Sequence, residues 1–148
     1  MTTYFKLLLV TFLLALTACT SPNNKNLIIG EWTNESMKVF IDHGTSEEQV
    51  FDVPKGKWEE ILLIQPILTT YTAEGVYSSV YKDLEGEVIN TSNGFWDVKG
   101  DSLYLTENGV ETAYHFNWMQ GRAEFKGYLD WDSDGVADDL YTGVQIKH

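Results

Sequence analysis

The chain has one cysteine, Cys19, so no internal disulfide can staple the fold. Proline is confined to Pro22, Pro54 and Pro66, which excludes a stiff proline-rich linker. Histidine occurs only as His43, His115 and His148, and no two have the spacing of metal ligands, which argues against a histidine-built zinc centre. Basic residues are scarce: 10 Lys and Arg face 22 Asp and Glu, giving a net charge of −12. Such a chain repels phosphate backbones, so nucleic-acid binding is excluded. The one long apolar run, residues 7–16, falls short of the roughly 20 residues that span a bilayer as a helix. No Gly-x-Ser-x-Gly elbow, phosphate loop or Cys–His pair is present. The carboxylate pairs Glu47-Glu48 and Glu59-Glu60 would point to opposite faces of a strand. The expectation is a protein that is not an enzyme.

What the chain has in quantity is aromatic residues and glycine: 5 Trp, 8 Tyr, 7 Phe and 12 Gly. This is the composition of an antiparallel sheet with tight turns. Strand patterns run over residues 27–33, 37–41, 60–65, 67–72, 76–82, 94–98, 102–106, 110–118, 122–129 and 140–147. Residues 42–57 read as a long polar loop, with one helical turn conceivable at 46–50. Asn108-Gly109 is the strongest short hairpin signal. Alternation is clearest at 110–118, where Val110, Thr112, Tyr114, Phe116 and Trp118 share a face opposite Glu111, His115 and Asn117. In the next strand Ala123, Phe125 and Leu129 oppose Arg122, Glu124 and Lys126, and in the last Leu140, Thr142, Val144 and Ile146 are expected inward. Short turns join neighbours in space, so the expected fold is all-β: a single antiparallel up-and-down β-barrel of about eight to nine strands.

The N-terminus carries a resemblance. Lys6 precedes the apolar run, and Leu16-Thr17-Ala18-Cys19 ends it with small residues before the cysteine. This resembles the lipobox of bacterial lipoproteins. It implies a signal peptide over 1–18, a lipidated Cys19 with a short tether over 19–26, and a domain over 27–148. Two acyl chains suffice for stable anchoring. Thr20, where an Asp would resemble the inner-membrane retention signal, implies the outer membrane, with the periplasmic face expected. The tether reaches at most ~25 Å, which holds the domain close to the membrane.

A second resemblance begins at Gly30-Glu31-Trp32. This Gly-x-Trp looks like that of the calycin superfamily, and small bacterial lipoproteins with lipocalin-like domains are similar over most of the chain. Their later segments resemble residues 73–77 and 94–103. In that family the Trp closes one barrel end against a basic residue, a role open here to Arg122 or Lys147. Gly30-Glu31-Trp32-Thr33-Asn34 is also similar to the first strand of avidins, but no later segment resembles their tryptophan-bearing biotin strands.

Asp130-Trp131-Asp132-Ser133-Asp134-Gly135-Val136-Ala137-Asp138-Asp139 is the sharpest polar motif. Its Asp-x-Asp-x-Asp-Gly opening matches a calcium loop, which gathers about six to eight oxygens from alternate carboxylates around a tight glycine turn. Candidate ligands are Asp130, Asp132, Asp134, the Val136 carbonyl, Asp138 and Asp139. Tyr141 stands where the bidentate carboxylate belongs, so either Asp139 moves in, water completes the shell, or affinity is low. An acidic turn without a cation is the alternative. Trp58, Tyr71, Tyr81 and Tyr104 are among the aromatics that could line a cavity. The candidate ligand-binding set is Trp32, Tyr77, Trp96, Tyr114 and Trp118. The resemblance implies a small apolar or amphipathic ligand bound or shielded in the barrel. The other expectation is a filled barrel that docks an envelope protein.

Overall fold

The computed structural model describes residues 24–148. The expected leader, Cys19 and the tether as far as residue 23 lie outside the described residues. The described chain opens with α1 (Lys25–Ile28) and continues through β1 (Gly30–Ile41), β2 (Gln49–Val53), α2 (Trp58–Leu62), β3 (Leu68–Tyr71) and β4 (Val76–Lys82). Then follow β5 (Val88–Lys99), β6 (Ser102–Glu107), β7 (Val110–Trp118), β8 (Arg122–Leu129) and β9 (Asp139–Lys147). From β3 onward each strand pairs antiparallel with the next, and β9 returns to β1. The result is a closed eight-stranded up-and-down barrel with β2 as an extra strand.

β1 makes this arrangement possible. Its first residues, Gly30–Thr33, pair with β3, while Met37–Ile41 pair with β2 on the same edge. The other edge belongs throughout to β9. A bulge between Asn34 and Ser36 separates the two halves and bends the strand. The extra residue, Glu35, is buried and is paired by Lys55 (2.7 Å) and Arg122. Arg122 is therefore committed outside the barrel.

Several local expectations change. Residues 60–65 read as a strand, but the chain forms α2 from Trp58 and bridges to the sheet only at Ile64. Trp58 and Leu62 stand four apart on one face and both pack inward, and Glu59 and Glu60 suit the positive end of the helix. A short apolar run fits either period, and burial of that face decides. The expected loop 42–57 contains β2, which exists because β1 offers an unused edge; the conceivable helical turn at 46–50 is turn and strand instead. The strand expected at 27–33 begins only at Gly30, since Lys25–Ile28 is helical and α1 belongs to the domain. On β9 the parity is inverted: Tyr141 and Gln145 border the interior. Leu140 is buried on the outer side, against the groove shared with Tyr128 and Ala137, and Val144 borders an outer groove with Lys55.

One barrel end is closed by a packed core. Trp32 is fully buried, edge-on to Trp118 at 5.7 Å and to Phe125 at 6.1 Å. Its indole N–H donates to the Ile28 carbonyl at 2.7 Å, which fastens α1 across the end. Lys147 lies over both rings, with Nζ 5.7 Å from Trp32 and 5.8 Å from Trp118, and donates to the Leu27 carbonyl at 2.8 Å. Of the two basic residues open to this role, the structure uses Lys147. Gly30 is required beside it: its φ is +128°, and a Cβ there would stand 3.0 Å from the Lys147 stem.

Candidate functional site

Beyond that core the barrel is open inside. A cavity of about 370 Å³ lies between β1, β3, β4, β6–β9 and α2, with Met37, Leu105, Phe125 and Leu129 among its apolar walls. Trp58 and Leu62 of α2 border it, and Trp131 of the β8–β9 loop borders it as well. A second space of about 400 Å³, bordered by β4 to β7, shares Ser79, Tyr81, Leu105 and Tyr114 with the first. Such volumes suit a small molecule.

Three interior tyrosine rings lie against glycines of the barrel wall. A Cβ on Gly94 would stand 2.7 Å from the Tyr77 ring and one on Gly127 3.0 Å from the Tyr114 ring, while one on Gly143 would meet the Tyr141 phenol. Glycine in a strand here marks the close approach of a ring to the wall.

The polar groups of the cavity are uncharged. Asn34, Gln145, a Thr69–Ser79 hydroxyl pair at 2.8 Å, and the phenols of Tyr71, Tyr81, Tyr114 and Tyr141 border it. No Asp, Glu, Lys, Arg or His is among its lining residues. Burial, and then the neighbouring phenols, push the Tyr114 hydroxyl up to about 12 and raise Tyr71 and Tyr141 well above the ordinary phenol value. These groups are neutral hydrogen-bonding partners at any ordinary pH. Glu107 stands in the second space, where its Oε2 accepts from Ser92 at 2.8 Å and from Tyr77 at 3.2 Å.

Of the five candidate ligand-binding residues, Tyr114 borders both spaces and Tyr77 borders the second. Trp32 and Trp96 are buried in the closed-end core, and Trp118 packs against it, so these three build the floor. The Trp96 indole N–H donates to the Thr72 carbonyl, and Lys25 lies over its ring. Tyr104 lies under Lys99 and borders neither space. Sequence reasoning missed Tyr141 and Gln145, through the inverted parity of β9, and Leu62 and Ile64, through the misread α2. It also left Glu107 unmarked, because one inward carboxylate at a strand end has no spacing signature.

The aspartate loop hangs on Asp139. This side chain is fully buried and accepts backbone N–H groups of Trp131 (2.6 Å), Asp132 (3.2 Å) and Asp42 (2.9 Å). Burial pushes its carboxyl up, but the three N–H donors outweigh that and hold it below the usual carboxylate range. Asp130 accepts from Gly135, Asp132 from Asp134, and Asp134 from Val136, which curls the loop. Two sets of carboxylate oxygens lie within 4.8 Å of one another: Asp130, Asp132 and Asp139, and Asp132 and Asp134 with Asp42. Asp42, from the β1–β2 turn, was not in the sequence-based set. Its carboxyl is raised by desolvation and then by Asp132, Asp138, Asp134 and Asp139. Asp138 is in the loop but in neither set of carboxylates, and Tyr141 points into the barrel cavity.

The chain matches no protein-family model and no curated protein sequence. Among the described residues no helix is long and apolar enough to cross a membrane.

Proposed function

We propose that this protein is a lipocalin-like lipoprotein of the bacterial envelope that binds a small apolar or amphipathic molecule inside its barrel and performs no catalysis. The observation that carries the reading is the cavity of about 370 Å³ with apolar walls and neutral polar groups, floored by a Trp32–Lys147 core. Lipid on Cys19 would hold the barrel at the membrane, with the outer membrane as destination and the periplasmic face as the working side. The Leu16-Thr17-Ala18-Cys19 motif supports that placement. The test is native mass spectrometry of the protein purified from envelope extracts, with Cys19→Ala as the unanchored control. A retained small molecule, released on unfolding, is the expected result. An empty barrel that takes up nothing from an envelope lipid extract would refute the carrier reading. A filled barrel that serves only to dock another protein is less well supported, because the interior is open.

A second element of the reading concerns the aspartate loop, which we assign as a calcium-stabilised rim. Asp42 supports it, since a residue from a separate turn joins Asp132 and Asp134. Carboxylates so placed repel one another unless a cation offsets them. The assignment is tested by the thermal shift described in the Discussion.

A further inference from the structure

Resting on the carrier reading, we propose that the barrel selects a protonated amine with an apolar body, the ammonium pairing with Glu107 and the body entering the cavity, and that it rejects carboxylate-bearing amphipaths. The two interior spaces share Ser79, Tyr81, Leu105 and Tyr114 as wall residues, which sets Glu107 beside the apolar cavity. Among the described residues Glu107 is the one acidic side chain bordering either space, and no Lys, Arg or His borders them.

Glu107 is arranged as a receptor for a donor. Tyr77 and Ser92 both donate to Oε2, and Oε1 has no protein partner among the described residues. The carboxylate is thus held in place on one side and open on the other. An ammonium brings hydrogen-bond donors and a compensating charge to it. A ligand carboxylate would meet like charge at Glu107 and no cation along the walls, and burying it unpaired is costly. The basic side chains of the closed end are committed there and to the outer wall: Lys147 to the closed-end tryptophans and Leu27, Arg122 to Glu35. The acidic loop of Asp130, Asp132, Asp134 and Asp138, with Asp42 against it, adds negative potential on the molecule and favours cations in the same direction. Tyr81 and Tyr114, on the shared wall, are neutral donors able to hold a hydroxyl or ether on the ligand body.

The experiment is isothermal titration calorimetry of the full chain with octylamine, octan-1-ol and octanoate, which share a tail and differ in head group. The expected order is amine, then alcohol, then carboxylate, with octylamine at least about tenfold tighter than octanoate. Glu107→Gln retains an oxygen to accept from Tyr77 and Ser92, and it should weaken octylamine about tenfold and narrow the gap to octanoate. Thermal unfolding of the variant reports whether it is folded. Equal or tighter binding of octanoate by the unaltered chain, or an octylamine affinity unmoved in folded Glu107→Gln, would overturn the assignment while leaving the carrier reading intact. Failure of all three probes to bind would overturn both.

Discussion

Replacing Asp139 by Asn should loosen the aspartate loop and cost stability that the structure allows to be estimated. The side chain is fully buried and accepts three backbone N–H groups, one on Oδ1 and two on Oδ2. An asparagine keeps one acceptor oxygen. Its best orientation preserves the bonds from Trp131 and Asp132 and turns the NH₂ toward the Asp42 N–H, donor against donor. Removing the charge also weakens the two bonds that remain. One charge-assisted bond lost, together with an unsatisfied donor, is worth about 2–4 kcal/mol. At roughly 3 °C per kcal/mol for a domain of this size, the melting temperature should fall by about 6–12 °C. The assay is thermal unfolding followed by near-ultraviolet circular dichroism, repeated across pH. Because the Asp139 carboxyl is held below its ordinary value, its contribution is fully present above the unfolded-state value of ~3.9 and is lost as pH falls through the folded value. The gap between the two proteins should therefore be constant near neutrality and close only in acid. A drop of less than about 2 °C at pH 7, or a gap that widens in acid, would refute the reasoning.

Gly94→Ala should destabilise by about 1–3 kcal/mol by overpacking, because its Cβ would collide with the backbone carbonyl of Thr106 as well as the Tyr77 ring; a stable variant in urea unfolding counts against that packing. Trp32→Ala should cost about 3–5 kcal/mol, since it removes the fully buried ring that holds α1 and carries Lys147, and unfolding at unchanged denaturant would contradict this. Tyr71, Tyr114 and Tyr141 have raised folded-state values, so stability is lost as pH climbs above the ordinary phenol value of ~10. In an alkaline titration followed by phenolate absorbance they should ionise together with unfolding; reversible ionisation with near-ultraviolet dichroism retained would oppose it. Millimolar calcium should raise the melting temperature, and Asp132→Ala should remove the rise; no shift in the unaltered protein would reduce the loop to a turn.

The closed end was legible in the sequence because its signals are local. Gly30 and Trp32 stand two apart at a strand entry. The β6–β7 hairpin at the opposite end was legible for the same reason, since Asn108-Gly109 turns with both residues at positive φ. The alternation over β7 and β8 also reads correctly, since each has one wet face. The open end was less legible because its contacts are made at long range. α2 and β2 are five residues each, too short for periodicity to decide, and both are fixed by what β1 leaves uncovered. β9 misled for a different reason. Leu140 is buried on the outside, so an apolar residue there says nothing about the lumen. Glu107 enters its site from the end of β6 and Asp42 from the β1–β2 turn, each remote in sequence from its partners, and no spacing rule connects them.

The seam between β1 and β9 has a kinetic consequence. It joins the first and last strands of the ring, with Thr142 donating to the Lys38 carbonyl across 104 residues of chain. Loop closure over that length must precede any reward from the pairing, so ring closure belongs late in folding. Until the C-terminal strand docks, β1 and β8 each present an open edge able to pair with another chain. A truncation that removes β9 should therefore yield a self-associating sheet instead of a smaller barrel.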